Sequence, residues 1–381
     1  MDRRSFIRLA GGGMVLAATG CASELPAQAL APWRGPAAGE ADVRRWILSH
    51  ALLAPHSHNL QSWLVDLRSP GEITLHCDLQ RLLPQTDPQS RQILLSQGTF
   101  LELLAMAARE RGLRAEVLLF PEGEFGPERP DARPVARVRL LPQPDIAPDP
   151  LFGQILHRRT NREAYAPAPP QPQTLAAIAA ACTAPGLRAG FTGAGAGEMN
   201  RHRVIAAAAW RIELETPRTV LESIRLLRVG PAQIARHRDG ISINTPMLRA
   251  LDAVGLLDRE NAPAPDSSIT RRQVQDFEAV LAATPAFFWL VSEGNSRRMQ
   301  VQAGRAYVRA QLAATAHGLS MHPLSQALQE YPEQAGPYAD IHTLLQAARP
   351  GATVQMWTRL GEGPRIAPSP RRGLQAHLLS S

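Results

Sequence analysis

Three arginines crowd a short stretch near the middle of the chain, which reads HRRTNREAY over residues 157–165. Arg158, Arg159 and Arg162 stand within five residues, around Thr160 and Asn161. A guanidinium group stays charged and can bind a phosphate or an anionic oxygen through two hydrogen bonds. The pattern therefore predicts an anion-binding site, with a solvated basic helix start as the alternative. Positive charge at a helix amino terminus opposes the helix dipole, which counts against that alternative.

The composition indicates a soluble globular protein with a large core. The chain has 381 residues, of which 44% are hydrophobic and 20% charged. The net charge is +7, and all 41 basic residues are arginine, since no lysine occurs. Acidic residues are scattered among the arginines and there is no long basic run, so nucleic acid is not an expected partner.

Motifs for metals, disulfides and dinucleotide domains do not occur in the sequence. Cys77 and Cys182 are isolated and have no CxxC spacing, and there is no HExxH motif. We therefore expect no metal, and two small buried thiols. No GxGxxG or Walker A pattern occurs, so a dedicated dinucleotide-binding domain is not expected.

Residues 1–29 have the features of an export signal. Arg3 and Arg4 precede Phe6 and an apolar run too short to span a bilayer. RRSFIR closely resembles a twin-arginine signal, which implies the twin-arginine translocase as a partner and a periplasmic or cell-envelope location; a basic start before an ordinary helix is the alternative. ATGC resembles a bacterial lipobox, so a membrane contact is expected only through the signal or a lipid anchor at Cys21. Cleavage in PAQA, near Ala29, is the alternative to lipidation. Residues 30–40 then form a linker rich in Pro, Ala and Gly.

Residues 41–150 predict a first unit of helices and strands. Asp42 can cap a helix that Pro55 ends, and SWLVDLRSPGEITLHCDL is typical of a hairpin. A long helix is predicted from about Ser90 to Arg111, with Gly112 as its terminator. The strands RAEVLLFP and VARVRLL follow.

Residues 151–381 predict a second, weakly similar unit. It contains a helix opened by Pro172, a continuously apolar strand AFFWLVSEG, a long helix that Gly318 ends, and the strand TVQMWTRLG. An Arg-rich insert at about 217–273 is predicted to be irregular. Each unit has a long Ala- and Leu-rich helix, followed by RGLRAEVLLF or HGLSMHPLS. We therefore predict an α+β protein made of two related halves.

Three further segments could carry chemistry together with HRRTNREAY: APHSHNLQSW, AHGLSMHPLSQAL and RLGEGPRIAPSPRRGL. Each also has an ordinary explanation. The first is a turn between a helix and a strand, the second is a connection from helix to strand, and the third is a frayed basic tail.

In this order, the four segments resemble the nitroreductase-like flavoprotein superfamily. The similarity is greatest to a bacterial branch in which two such units are fused as an intramolecular pseudo-dimer, and it covers about residues 40–375. The resemblance implies a nitroreductase-like α/β/α sandwich with a mainly antiparallel sheet and helices on both faces. It also implies FMN bound between the two halves.

The family's Arg-Arg-Ser/Thr-x-Arg motif, at a helix entrance, contacts the flavin phosphate, ribityl chain and pyrimidine edge. Its loop motif, Ala-Pro-Ser-x-x-Asn-x-Gln-Pro-Trp, is matched except that His56 replaces Ser and Ser62 replaces Pro. The third segment implies a backbone amide near the flavin ring, and the last implies two phosphate-binding arginines, with Arg359 a further candidate. The cofactor-binding residues implied are Pro55, His56, Ser57, Asn59, Gln61, Arg158, Arg159, Thr160, Asn161, Arg162, Pro323, Leu324, Ser325, Arg371 and Arg372.

The expected function is that of an exported FMN-dependent oxidoreductase of nitroreductase type. NAD(P)H is the expected reductant, and a small electron-poor molecule such as a nitroaromatic or a quinone is the expected acceptor, in ping-pong order. No protein side chain is expected to be catalytic. Only one complete set of motifs occurs, which predicts one FMN per chain. The alternatives are a protein that binds or sequesters FMN without turnover, with the insert as a cover, and an envelope lipoprotein that has lost the flavin.

Overall fold

The computed structural model describes residues 25–192, 195–255 and 257–379. The predicted twin-arginine motif and Cys21 lie outside these residues. In the described ranges, no helix is both long and apolar enough to cross a membrane.

The first half is an antiparallel sheet with two helices. Its elements are α1 (Val43–Ala51), β1 (Trp63–Asp66), β2 (Glu72–Cys77), α2 (Arg91–Arg109), β3 (Leu113–Leu119) and β4 (Ala136–Pro142). The strand order is β1-β2-β4-β3. The Asp42 carboxylate accepts from the backbone N–H of Arg44 and caps α1, and Gly112 follows α2 at φ +64°. Both predicted boundaries are confirmed.

The second half repeats this arrangement around a larger set of helices. Its elements are α3 (Pro172–Ala181), β5 (Leu187–Phe191), α4 (Ala196–Glu215), α5 (Pro217–Arg225), β6 (Leu227–Val229), α6 (Gly230–His237), β7 (Ile241–Ile243), α7 (Pro246–Ala253), α8 (Ser268–Ala282), β8 (Ala286–Glu293), α9 (Arg297–Ala316), β9 (Ser320–Pro323), α10 (Ala335–Leu344) and β10 (Ala352–Gly361). The main sheet has the order β5-β8-β10-β9 and is antiparallel.

The two halves share one connectivity, which confirms the prediction of two related units. In each half the four strands occur in the spatial order first, second, fourth, third, with a long helix between the second and third strands. The long helices α2 and α9 cross at Gly98 and Gly304, where an added Cβ would overlap a carbonyl of the other helix. Gly304 lies 206 positions after Gly98, and Gly318 lies 206 positions after Gly112.

The layers differ between the halves. In the second half, Phe287 and Trp289 pack against α4 and α8, while Phe288 and Leu290 on the opposite face pack against α3 and α9. The second sheet is therefore covered on both faces, as an α/β/α sandwich requires. In the first half, burial along β2 and β3 alternates, and Leu118 is exposed, so helices cover one face of that sheet.

The prediction of irregular structure for residues 217–273 was wrong. The insert contains α5, α6, α7, the start of α8 and a small parallel sheet of β6 and β7. Pro217 and Pro246 occupy the first turns of α5 and α7, where the fixed φ of proline favours a helix. The insert reaches the first half through a hydrogen bond from the Gly240 N–H to the Asn59 carbonyl.

The linker prediction for residues 30–40 was wrong for its first part. Helical turns cover Ala27–Leu30 and Ala31–Arg34. The Ala29 carbonyl accepts from the Arg371 N–H, and the Trp33 indole donates to the Ser369 carbonyl at 2.8 Å. These long-range contacts order a segment whose Pro- and Ala-rich composition by itself indicates a linker.

Candidate functional site

A cavity lies between the two halves and under the insert. It holds about 190 Å³ of space accessible to the centre of a water molecule. The first half contributes the loop after α1 and one side of α2. The second half contributes α4, α8, α9, β9 and the segment around Thr160, while the insert contributes α5, β6 and β7. The cavity therefore depends on both halves, as the family resemblance implies for a flavin site.

The loop at residues 55–62 is fixed in an unusual backbone conformation. His58, Asn59 and Gln61 all have positive φ, between 48° and 55°. Non-glycine residues adopt this region rarely, and such strain concentrates at functional sites. His56 braces the loop, because one ring nitrogen lies 2.8 Å from the Ser57 carbonyl and the other accepts from the Ser62 N–H. Burial lowers the pKa of His56 to about 3, which keeps the ring neutral in this role.

His58 turns into the cavity and meets the insert. Its Nε2 lies 3.0 Å from the Ser223 hydroxyl of α5. Among the described residues its buried Nδ1 has no partner. Burial lowers the pKa of His58 to about 4, and the charge on Arg162 lowers it further. His58 is thus a neutral side chain with one nitrogen available to a ligand.

Arg162 is the cationic group of the cavity wall. Its side chain exposes much of its surface, and this surface lies in the cavity. Within the described ranges, its guanidinium has no hydrogen-bond or ion-pair partner. Burial lowers its pKa, while Tyr165 and Tyr307 act in the opposite direction. A cation that lines a cavity and has no counterion can bind an anionic ligand through charge-assisted hydrogen bonds.

Two more groups lie near Arg162. Tyr307 of α9 has a buried hydroxyl that no described residue bonds, and burial raises its pKa. The His322 Nδ1 of β9 accepts from Arg359 at 3.0 Å, and burial holds the pKa of His322 well below its usual value. Tyr307 can donate to a ligand, whereas His322 is occupied on one side by Arg359.

Two buried carboxyl groups form other parts of the wall. Burial raises the pKa of Asp87 to about 6, although its oxygens accept the Gln92 and Ile93 N–H groups at the start of α2. Burial likewise raises the pKa of Glu213 to about 7, and Gln329 donates to this carboxyl at 2.7 Å. Glu213 therefore titrates near neutral pH.

The basic motif does not stand at a helix entrance, contrary to the expectation. Residues 158–162 belong to no helix, Thr160 forms a parallel bridge with Met321, and the next helix begins at Pro172. The Thr160–Met321 bridge and the prolines between residue 162 and α3 account for the difference, because a residue that precedes proline rarely adopts the helical conformation. The alternative of a solvated basic start does not hold either, because Arg158 is only 2% exposed.

Three of the predicted arginines gather around Trp33 and do not line the cavity. The guanidinium carbons of Arg158, Arg159 and Arg371 lie 5.7, 4.4 and 5.2 Å from the indole centre. Arg158 donates to the Leu53 carbonyl at 2.9 Å, and Arg371 donates to the carbonyls that follow α1. These carbonyls stand at the negative end of the helix dipole, which favours the cations there.

Five other predicted residues are also held by the protein. The backbone N–H of Arg372 donates to the Gln61 side chain. The Asn59 side chain donates to the Pro370 carbonyl and accepts from the Arg371 guanidinium. The carboxyl-terminal segment therefore secures the loop after α1. This segment is therefore not a frayed tail. Asn161 donates to the Pro364 carbonyl at 2.8 Å, and Leu324 lies in the core.

The structure thus divides the predicted set. Seven residues line the cavity: Pro55, His56, Ser57, Thr160, Arg162, Pro323 and Ser325. Sequence reasoning missed several polar wall residues, among them His58, Asp87, Glu213 and Tyr307. One available signal was the spacing of Gln92, Ser96 and Thr99, which places a polar stripe on the otherwise apolar helix α2.

No family model matches the chain. Two curated proteins, each named "Putative NAD(P)H nitroreductase" and from two strains of Mycobacterium tuberculosis, are 27% identical to it over 353 residues. The match covers 90% of this chain and 94% of each relative. The chain is similar to nitroreductases along most of its length.

Solved structures overlap with part of the chain. The FMN-dependent nitroreductase NfnB from Mycobacterium smegmatis, in complex with NADPH, is 19% identical, with a TM-score of 0.37, and the match covers 60% of this chain and 96% of that one. An iodotyrosine deiodinase bound to FMN and 3-iodo-L-tyrosine is 14% identical, with a TM-score of 0.34, and the match covers 58% and 94%. The repeated strand order of the two halves defines the fold of this chain.

Proposed function

We propose that this protein is an FMN-dependent oxidoreductase of nitroreductase type, and that FMN binds in the cavity between the halves. The observation that carries the proposal is Arg162, a cation that lines the cavity without a counterion among the described residues. The nitroreductase-like relatives, which match nearly the full length of the chain, support the same reaction class.

The ring end of FMN fits the residues around Arg162. When bound, FMN accepts a hydride from a reductant such as NAD(P)H and passes electrons to a small electron-poor acceptor, such as a nitroaromatic or a quinone. Arg162 would stabilise the negative charge of the reduced ring and so raise its reduction potential. The His58 Nδ1, the Gln92 Nε2 and the Tyr307 hydroxyl are buried in the wall and have no partner among the described residues. They would hold the polar edge of the ring.

The arginines predicted for the phosphate fit less directly. Arg158 and Arg371 already donate to backbone carbonyls and contact Trp33. A phosphate contact would require them to exchange these bonds. Their role as phosphate ligands stays a prediction, and Arg162 carries our assignment of the site.

One FMN per chain is part of the proposal. In α2, Gln92 and Thr99 line the cavity. The positions 206 residues later in α9 (92 to 298, 99 to 305) are arginines, and these pair with Glu124 and Glu102. The corresponding side of the helix crossing is a second pocket of about 200 Å³, whose arginines already pair with carboxylates.

Storage of FMN without turnover is the second candidate, and the insert favours it. Val220, Ser223 and Ile224 of α5 and Leu227 of β6 form part of the cavity wall. Glu222 fastens α5 to the first half by accepting from the Gln85 and Thr86 N–H groups. A cover tied down in this way would restrict access of a reductant to the flavin.

One experiment separates the two candidates. The purified protein is reconstituted with FMN, and NAD(P)H is added without oxygen while the yellow flavin absorbance is followed. Turnover predicts bleaching within minutes and recovery when a quinone is added. Storage predicts bound flavin that NAD(P)H does not bleach. A protein that takes up no flavin would contradict both.

Export by the twin-arginine translocase to the periplasm or cell envelope is also proposed. Of the two processing sites, lipidation at Cys21 is favoured, because cleavage near Ala29 would cut a helical turn whose Ala29 carbonyl is bonded to Arg371. The mass of the mature amino-terminal peptide tests this. A peptide that begins after Ala29 would contradict the lipid anchor.

A further inference from the structure

We propose that the end of the cavity beneath the insert is a subsite for an aromatic molecule that carries a hydroxyl or amino hydrogen-bond donor. This inference rests on the proposed function, because it names the class of electron acceptor that the same cavity would admit. The argument uses the wall made by α4, α5 and α8.

The surface of this subsite is largely apolar and aromatic. Trp210 and Leu214 of α4, Phe277 of α8, and Val220 and Ile224 of α5 line it. The rings of Trp210 and Phe277 lie 4.7 Å apart at an angle of 32°. Such a surface fits a flat apolar ring, because aromatic rings stack or meet edge to face at this range.

The polar groups of the subsite are mainly acceptors. Gln329 uses its Nε2 to donate to Glu213, and its Oε1 has no partner among the described residues. The Gln273 Oε1 is likewise buried without one, and both glutamines are at least 95% buried. An unpaired buried acceptor destabilises the protein, and a donor on the ligand would offset that cost.

The charge distribution also disfavours an anionic ligand at this end once Glu213 ionises. Glu213 lies in the wall, where burial and then the nearby Glu222 raise its pKa, whereas the charge of Arg162 acts on His58, Tyr307 and His322. The cavity thus has a cationic part suited to the flavin and an acceptor-rich part suited to a neutral or cationic ring with a donor group.

Equilibrium dialysis with 2-naphthol and 2-methoxynaphthalene tests the inference. The two probes share a ring system, but only 2-naphthol can donate a hydrogen bond. We expect 2-naphthol to bind about 10-fold or more tightly, since a site with buried polar groups rejects an analogue that leaves them unpaired. Equal binding of the two probes, or no binding of either, would overturn the inference.

A matched pair of variants locates the effect. Gln273→Leu should reduce the preference for 2-naphthol several-fold and leave 2-methoxynaphthalene binding intact. Gln80→Leu, at an exposed position outside the cavity, should change neither. A preference unchanged by Gln273→Leu would also overturn the assignment. FMN uptake is read separately from its visible absorbance, so loss of the flavin function and loss of probe selectivity are distinguishable.

Discussion

Arg158 and Arg162 stand four positions apart in one motif and serve different neighbours. Arg158 is buried against Trp33 and donates to Leu53 and Gln311. Arg162 faces the cavity and has no hydrogen-bond or ion-pair partner within the described ranges. We therefore assign Arg158 a role in stabilising the fold and Arg162 a role in binding a ligand.

Arg162→Gln should weaken FMN binding about 10-fold and make the reduction potential of bound FMN more negative, because a charge-assisted contact to the ring is lost. The free energy of unfolding of the flavin-free protein should change by less than about 0.5 kcal/mol. FMN titration and redox titration measure these effects. Arg365→Gln, on an exposed arginine, is the control. An unchanged FMN affinity would remove Arg162 from the site.

Arg158→Ala should behave in the opposite way. It removes buried charge-assisted hydrogen bonds, so we expect a loss of about 1.5–3 kcal/mol in the free energy of unfolding. Urea denaturation measures it. A variant that loses FMN and keeps its stability would restore the sequence-based role of Arg158 as a phosphate ligand.

Glu213 gives the stability a pH dependence. Burial raises its folded-state pKa to about 7, above the usual value for an unfolded glutamate of about 4.3, so the folded state binds the proton more tightly. Its contribution is fully present below the unfolded pKa and is lost as pH rises to about 7. Comparison of Glu213→Gln with the wild type should isolate this decline in the unfolding free energy, because the other shifted groups, Asp87, His56 and His58, are present in both proteins. Parallel pH profiles of the unfolding free energy would refute the assignment.

At the scale of elements, the crossing of α2 and α9 joins the two halves. Apolar residues of α9 pack in the first-half core, and Leu95 of α2 packs in the second. Arg91 and Arg297 also reach across, to the carbonyl of Val354 and to that of Gly126. The cavity depends on this crossing because both helices line it.

Gly98→Ala and Gly304→Ala should each destabilise the protein by about 3 kcal/mol or more, since the added methyl overlaps a backbone carbonyl of the other helix. Thermal unfolding measures the loss, and FMN uptake should fall with it. Gly197→Ala, in α4 with open space around it, is the control and should be neutral or slightly stabilising. Equal effects at all three positions would contradict the close crossing.

Local signals explain why most elements could be predicted. Asp42, Gly112 and Gly318 act on their own neighbours in sequence, so helix ends were readable without the fold. The insert was misjudged because proline both breaks helices and begins them, and the packing of α5 decides which occurs. The division of the arginines depends on Trp33, which lies over a hundred positions from Arg158, Arg159 and Arg371 in the sequence, so no local pattern could show it.

At the scale of the whole molecule, the chain contains two halves that share one strand order but contribute different residues to the cavity. The first half supplies the strained loop and α2, and the second supplies Arg162, the aromatic wall and the insert. On the opposite side of the helix crossing lies a second pocket of about 200 Å³, which is lined by ion pairs among Glu102, Arg305 and Arg309. We therefore assign the flavin to the cavity that Arg162 lines, because the arginines of the other pocket already pair with carboxylates.

Stoichiometric titration of the purified protein with FMN tests the central claim most directly. The change in flavin absorbance is followed as FMN is added to a known concentration of chain. We predict saturation at one FMN per chain. Saturation at two would contradict the single composite site, and no spectral change at any ratio would contradict the flavin assignment itself.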